Sequence, residues 1–209
     1  MRKVILEACV DTYDQCIAAE KNGADRIEFC DRLDLGGITP SFRLLERLLA
    51  NINIPVMVMV RPRGGGFVYT TKEFSLMKQT ISTLKDMGSH GIVLGLLTPE
   101  KRVDPDRTGE LVEWARPLSV TFHKAFDECP DMEGAIHDIK ASGAKRLLTS
   151  GGKKYATDAV QILNKLTKPA LPELTIIAAG GINHENIADL KTLLPAITEF
   201  HGRKIVPNI

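Results

Sequence analysis

The stretch NGADRIEFC at residues 22–30 contains the pattern on which the fold prediction depends. Gly23 follows a segment with helical spacing at 13–22, and an apolar run begins two residues after it. A glycine in this position is typical of a left-handed helix cap, so the stretch predicts a helix that ends just before a strand. The same transition recurs at MGSHG, residues 87–91, and at SGAK, residues 142–145.

Strand-sized and helical segments alternate along the whole chain. Short apolar runs rich in Val, Ile and Leu occur at 3–9, 25–30, 54–61, 91–97, 119–126, 145–150, 175–179 and 198–201. Segments with helical spacing lie between them, at 13–22, 40–50, 72–87, 106–115, 131–142, 155–166 and 184–193. Eight such strands favour a closed, parallel TIM-type (β/α)8 barrel over a doubly wound open sheet, which usually has five or six strands.

The predicted barrel forms a single domain over residues 1–209, and its last helix is missing or truncated. Only a few residues follow the eighth predicted strand, which is too few for another full helix. One candidate for what covers this strand in place of the helix is a partner subunit, so we consider a homodimer. The Thr39-Pro40 pair predicts the N-terminus of the second helix, because proline is favoured at the first helical position.

Composition excludes several classes of protein. The 209 residues include 27 Lys and Arg against 26 Asp and Glu, so the charge of +1 provides no excess with which to bind nucleic acid. The longest apolar run, at 54–60, has the length of a strand, and the first ten residues do not resemble a secretion signal, so we expect no membrane partner and a cytoplasmic location. The four cysteines lack CxxC spacing and are expected to be thiols, and no organic cofactor is evident.

Alternation along each predicted strand places several polar residues inside the barrel. A buried charge without a partner costs several kcal/mol, so we expect Glu7, Glu28 and Glu199 to pair with residues among Arg26, Arg61, Arg63 and His123. A structural ion network would explain this polarity. We prefer an active site at the barrel mouth, because the polar residues collect at the ends of strands that begin with aliphatic residues. The inward residues are Glu7, Cys9, Arg26, Glu28, Cys30, Met57, Met59, Arg61, Thr121, His123, Glu199 and His201.

The RPRGGG stretch at residues 61–66 is suited to binding an anion. Two guanidinium groups next to glycines match a carboxylate or phosphate, although arginines paired with Glu7 and Glu28 would explain the stretch equally well. In TFHKAFD, residues 121–127, His123 is a candidate acid, base or ligand, with a hydrogen-bonded core histidine as the alternative.

Two glycine turns follow the sixth and seventh predicted strands. These are TSGG at 149–152 and AAGG at 178–181, and phosphate sites of such barrels often lie at the last strands. Simple tight turns are the alternative interpretation.

Cys9 and Cys30 occupy inward positions on neighbouring strands. If those strands are in register, the two sulfurs lie within one inter-strand spacing and suit Cu(I), with Met57, Met59 or His123 as a third donor. Two small buried thiols without a metal are the alternative. Zinc is less favoured, because no tetrahedral set with its usual spacing is present.

Seven segments match the pattern of one known family, namely LEACVD at 6–11, NGADRIEFC at 22–30, GGITPS at 36–41, IPVMVMVRPRGG at 54–65, VTFHKAFD at 120–127, LLTSG at 147–151 and EFH at 199–201. Together they resemble the CutC family of copper-homeostasis proteins. The resemblance implies a cytoplasmic TIM-type barrel that is linked to copper tolerance or trafficking and proposed to bind Cu(I) through cysteines, at the positions of Cys9 and Cys30. It also implies functional strand-end residues without a settled reaction, at Glu7, Glu28, Arg61, Arg63, His123, Asp127, Thr149, Ser150 and His201.

Two functional hypotheses follow, and whether the protein is an enzyme stays open. The first is copper homeostasis, with Cu(I) at Cys9 and Cys30. The alternative is an enzyme that acts on a small phosphate or carboxylate at the barrel mouth. Its expected catalytic residues are Glu7, Glu28, Arg61, His123 and Asp127. Its expected substrate-binding residues are Arg61, Arg63, Thr149, Ser150, Gly151, Gly180, Gly181 and His201.

Overall fold

The computed structural model describes residues 3–209 as a closed barrel of eight parallel strands in the order β1 to β8. Each strand pairs with the next along the chain, and β8 pairs with β1. This architecture confirms the predicted TIM-type barrel. The strands are β1 (Ile5–Val10), β2 (Arg26–Phe29), β3 (Val56–Met59), β4 (Gly91–Leu94), β5 (Ser119–Phe122), β6 (Arg146–Thr149), β7 (Thr175–Ala178) and β8 (Glu199–Gly202).

Seven α-helices within residues 3–209 connect consecutive strands and surround the barrel. Gly23 has the left-handed φ of +92° that the sequence predicted for the turn after α1. The second helix begins at Phe42 after an N-cap at Ser41, so the prediction that it starts at Pro40 was two residues early. The helices are α1 (Tyr13–Lys21), α2 (Phe42–Leu49), α3 (Thr71–Asp86), α4 (Pro105–Ala115), α5 (Met132–Ala141), α6 (Val160–Ala170) and α7 (Ile187–Leu193).

The main hydrophobic core lies between the strands and the helices. Outward-facing strand residues such as Ile27, Val58 and Phe200 are fully buried there. Burial of aliphatic and aromatic surface at about 25 cal/mol per Å² is the main stabilising contribution to such a shell. Because successive side chains alternate in direction, the residues between these positions face the lumen, as predicted.

Within residues 3–209, the segment after β8 covers that strand. Ile205 and Val206, in the segment after β8, are buried in the same core as Phe200. Burial of Phe200 therefore does not require the partner subunit that the sequence suggested. None of the helices described within residues 3–209 combines the length and hydropathy of a bilayer-crossing segment, and the longest, α3, has 16 residues.

Candidate functional site

A cavity of about 490 Å³ opens at the carboxyl ends of the strands. Its size lies in the usual range for small-molecule sites, and its position is where TIM-type barrels place their active sites. The wall contains seven of the residues that the sequence singled out as catalytic, substrate-binding or metal-binding. These are Cys9, Glu28, Arg61, His123, Gly180, Gly181 and His201.

An ion network lies in the lumen on β1, β2 and β8. Arg26 donates hydrogen bonds to both Glu7 and Glu199, and all three side chains are largely buried. Burial disfavours ionisation of Glu7, but the hydrogen bond from His201 and the charge of Arg26 outweigh it and lower the pKa of Glu7 to about 2. Of the four candidate partners named from the sequence, Arg26 is the one that pairs with Glu7 and Glu199.

His201 connects this network to the cavity. Its Nδ1 lies 2.9 Å from Glu7 Oε1, and its Nε2 lies 4.0 Å from Glu28 Oε1. Burial opposes the charged form, but the charges of Glu28 and Glu7 outweigh it and raise the pKa of His201. The Glu7 contact orients the ring so that Nε2 is on the side of Glu28.

Cys9, Glu28 and His201 bring three potential metal-ligating atoms together. One such atom from each residue lies within 4.8 Å of the others, and all three residues are buried. The Cys9 thiol donates to Glu28 Oε1 over 3.4 Å. This convergence supplies a thiol, an imidazole and a carboxylate at one point of the cavity wall.

The lumen also contains a cluster of sulfur atoms next to this point. Cys9, Cys30, Met57 and Met59 pack together there. The hydrogen-bonding contact with the Cys30 thiol, followed by burial and by Glu28, raises the pKa of Cys9 well above its ordinary value. Cys9 lines the cavity, and Cys30 packs against it without being part of the wall.

The strand register differs from the one assumed for the two cysteines. Cys9 lies opposite Glu28 in the β1–β2 pairing, so Cys30 is two positions further along its strand. Strands of a closed barrel are tilted and staggered, which displaces residues that would be level in a flat sheet. The cysteines nevertheless remain in contact through their side chains.

Arg61 and Arg63 do not pair with the lumen carboxylates. Arg61 donates to the carbonyl groups of Leu35, Gly37 and Gly65 at 2.7–3.0 Å, and it lines the cavity. Arg63 forms an ion pair with Glu73 on α3 and is not part of the cavity wall. The alternative in which these arginines balance Glu7 or Glu28 is contradicted, because Arg61 donates to loop carbonyls and Arg63 pairs with Glu73.

His123 is a neutral imidazole beside Arg61. Burial and then the Arg61 charge lower its pKa to about 3. Nδ1 accepts a hydrogen bond from the amide of Ala125 over 3.1 Å, so the proton resides on Nε2, which has no hydrogen-bond partner in the described structure. Gly95 makes room for the ring, because a Cβ there would lie 2.4 Å from Nδ1. His123 is therefore a neutral hydrogen-bond donor through Nε2 rather than a cation.

Asp127, Thr149, Ser150 and Gly151 lie outside the cavity wall. Asp127 accepts hydrogen bonds from the Thr149 hydroxyl, from the amide and hydroxyl of Ser150 and from the amide of Gly152. These bonds join the 3-10 turn after β5 to the loop after β6. The catalytic and substrate-binding roles expected for these residues stay predictions, and the geometry shows an organising contact between two loops.

Three cationic residues of the wall were not anticipated from the sequence. Lys124 lies at the mouth and donates to Ser150 Oγ over 2.6 Å, whereas Arg203 and Lys204 are exposed on the segment after β8. Strand alternation cannot place them, since all three follow the strands. The lysine in TFHKAFD, and the arginine and lysine that follow EFH after one glycine, were the available signals.

Comparison with known proteins gives a consistent result. A profile described as the CutC family matches residues 4–206. The chain is 41% identical over 198 residues to a Chromobacterium violaceum protein named family protein CutC, covering 95% of this chain and 80% of that protein. It is 38% identical to the human copper homeostasis protein cutC homolog, covering 94% of this chain and 72% of the human protein.

Solved structures show the same relationship. The putative copper homeostasis protein CutC from Streptococcus agalactiae superposes with a TM-score of 0.91 at 29% identity, over 97% of this chain and 100% of that one. A structure titled QR15, an aldolase, superposes with a TM-score of 0.68 at 11% identity, over 96% of this chain and 89% of that one. The second similarity concerns the barrel fold alone.

Proposed function

The chain belongs to the CutC family, and from that premise we propose that it is a cytoplasmic copper-homeostasis protein that binds Cu(I) in the barrel lumen. Cys9 and Cys30 are the expected thiolate ligands, and His201 is the third donor. The supporting observation is the convergence of Cys9 and His201 on one point, with the Cys30 sulfur packed against Cys9.

The donor set suits a soft ion. Thiolate and thioether sulfur favour Cu(I), and imidazole binds copper as well. Met59 lines the cavity beside Cys9 and adds a thioether near the site. Glu7 orients His201 from behind through Nδ1, which is the role that a carboxylate typically has behind a metal-binding histidine.

An anaerobic titration of Cu(I) against a colorimetric chelator tests this proposal. We expect the wild-type chain to bind about one equivalent, and Cys9→Ser and Cys30→Ser each to weaken binding at least about tenfold. Cys129→Ser is the matched control, because Cys129 is buried in the outer core, away from the lumen. Wild-type affinity in both lumen variants would refute the two-cysteine site.

A second candidate function is catalysis on a small anion in the same cavity. The specific observation in its favour is that Arg61 and the neutral His123 lie in the same wall as Glu28 and His201, which can exchange protons. Cu(I) would occupy His201 and Cys9, so we expect copper to inhibit such an activity.

Incubation of the metal-free protein with a mixture of small phosphate esters and carboxylates, followed by NMR, tests the second candidate. Consumption of one component by the wild type but not by Glu28→Gln would support an enzyme. Identical spectra with and without wild-type protein would count against one.

A further inference from the structure

Glu28 differs from the other lumen carboxylates in its partners. Glu7 and Glu199 both form ion pairs with Arg26, whereas Glu28 Oε1 accepts a hydrogen bond from the Cys9 thiol over 3.4 Å. Glu28 is 2% exposed, and its Oε2 has no hydrogen-bond partner in the part of the chain that the structure describes. A buried carboxylate is costly unless it is paired and hydrogen-bonded, and a bound cation would satisfy it.

Two further ligand atoms lie beside this carboxylate. One atom each from Cys9, Glu28 and His201 lies within 4.8 Å of the others. The distance from Glu28 Oε1 is 3.4 Å to Cys9 Sγ and 4.0 Å to His201 Nε2. The ligands of a tetrahedral Zn²⁺ ion lie about 2.0–2.3 Å from the metal and therefore about 3.3–3.6 Å from one another. A small movement of the His201 ring is sufficient to reach that geometry.

The histidine is already oriented for this role. His201 Nδ1 lies 2.9 Å from Glu7 Oε1, so Nδ1 donates its proton to the Glu7 carboxylate and Nε2 is free to act as a ligand. A carboxylate behind the second nitrogen of the ring is the usual arrangement for a histidine that binds zinc.

The fourth position of this site faces the cavity. Cys9, Glu28 and His201 all belong to the wall of the cavity of about 490 Å³. Structural zinc sites have four protein ligands, whereas sites with three protein ligands leave one position for water or a small molecule. The three residues come from β1, β2 and β8, so no short spacing in the sequence connects them. The missing zinc spacing in the sequence therefore does not argue against this site.

We propose that Cys9, Glu28 and His201 bind a divalent cation of the Zn²⁺ class, with the fourth position open to the cavity. The Cys9 thiol releases its proton to solvent on binding, because the thiolate is the ligand. The proposed Cu(I) site uses the Cys30 thiolate in place of the Glu28 carboxylate. A soft ion selects the second sulfur, and a harder ion selects the carboxylate. Because both sites use Cys9 and His201, the two ions exclude one another.

An anaerobic titration of the metal-free protein with Co²⁺, a coloured substitute for Zn²⁺, tests this site. We expect a thiolate charge-transfer band that saturates at about one equivalent and disappears when Zn²⁺ displaces the Co²⁺. Cys9→Ser should lose the band, and Cys129→Ser, which changes a buried thiol of the outer core, should retain it. Absence of the band in the wild type, or its persistence in Cys9→Ser, would overturn the proposal.

Azide tests the open position, because it is a small anion that binds to metals with a free coordination position. We expect azide to change the Co²⁺ spectrum of the wild type saturably. An unchanged spectrum would overturn the open fourth position.

Two variants separate this site from the Cu(I) site. Glu28→Gln keeps the shape of the side chain, and it should weaken Zn²⁺ binding at least about tenfold and leave Cu(I) affinity within about twofold. Cys30→Ser should have the opposite effect, and Glu46→Gln, on the exposed side of α2, is the control. Circular dichroism checks that the variants are folded.

The outcomes for the two metals are distinguishable. Wild-type Zn²⁺ affinity in Glu28→Gln, or parallel loss of Zn²⁺ and Cu(I) in Glu28→Gln and Cys30→Ser, would overturn the proposed ligand set. Cu(I) binding without Zn²⁺ binding would overturn this site and leave the copper proposal intact. Zn²⁺ binding as expected without Cu(I) binding would support this site and refute the copper proposal.

Discussion

Arg26 holds two carboxylates in the barrel lumen, and its removal should show how strongly the fold depends on this network. Arg26→Met leaves Glu7 and Glu199 without their shared cation. Loss of one partner from a buried ion pair typically costs about 3–5 kcal/mol. We expect a decrease of that size in the free energy of unfolding, measured in urea.

The matched control for that variant is Arg32→Met. Arg32 pairs with Asp34 at the surface, where both side chains are more than half exposed. Exposed ion pairs of this kind contribute about 0–1 kcal/mol to the free energy of unfolding. Equal losses in the two variants would show that the lumen network has no special importance for stability.

Glu7 should make the protein sensitive to acid. Its folded-state pKa of about 2 is below the ordinary 4.5, so its contribution is fully present above pH 4.5 and is lost as the pH falls toward 2. The shift corresponds to at most about 3 kcal/mol. We expect Glu7→Gln to be less stable at pH 7. Its free energy of unfolding should also depend less on pH between pH 4.5 and about 2. An unchanged acid-unfolding profile in this variant would contradict the assignment.

Residue type and strand period were sufficient to predict which side chains face the lumen. Glu7, Glu28 and His201 lie there, because alternation in a strand is strict and the outward positions are aliphatic or aromatic. Their partners could not be predicted in the same way. Arg61 binds loop carbonyls because of the path of its loop, and Cys9 lies opposite Glu28 because of the stagger between strands.

At the scale of elements, Asp127 joins the turn after β5 to the loop after β6. Its carboxylate accepts hydrogen bonds from Thr149, Ser150 and Gly152. Asp127→Ala leaves the buried donors of Thr149 and Ser150 without this acceptor, so we expect a loss of about 2–3 kcal/mol in the free energy of unfolding. Asp86→Ala, at the exposed end of α3, is the control. A stability loss no larger than that of the control would argue against this role.

The helix and strand boundaries were predictable where local chemistry decides them. The glycine after α1 ends that helix as expected, whereas Ser41 displaces Thr39 as the N-cap of α2. A short 3-10 turn at Ala156–Ala159 precedes α6, so this helix begins at Val160 rather than at 155. Local propensity does not include tertiary contacts such as the hydrogen bonds between the Thr39 hydroxyl and the backbone of Arg61.

At the scale of the whole molecule, the barrel closes through contacts between its first and last strands. β8 pairs with β1, and the segment after β8 buries Ile205 and Val206 against Phe200. Ile205→Ala should therefore lower the free energy of unfolding by about 2–5 kcal/mol, since it leaves a cavity where the barrel closes. Thermal or urea unfolding measures the loss, and the predicted single domain should unfold in one transition.

Leu193→Ala provides the comparison for Ile205→Ala. Leu193 lies on α7 with half of its side chain exposed, so little buried surface is lost. If Ile205→Ala proved as mild as Leu193→Ala, the segment after β8 would not be the cover that the structure shows.

The cations at the cavity mouth, Lys124, Arg203 and Lys204, are a property of the whole molecule. The pattern of strands could not predict them. Arg203 and Lys204 reach the cavity only because β8 closes against β1 and brings the last segment beside the loop after β7. The sulfur cluster does not depend on closure in this way, since β1, β2 and β3 are consecutive neighbours in the barrel. The candidate copper site and the candidate anion site therefore share one cavity.

The most direct test of the central claim is X-ray absorption at the copper edge of the Cu(I)-loaded protein. Binding through Cys9 and Cys30 predicts two sulfur scatterers in the first shell together with a histidine nitrogen. Cys30→Ser should lose one of the sulfur scatterers. A first shell of nitrogen and oxygen alone in the wild type would contradict Cu(I) binding at these cysteines.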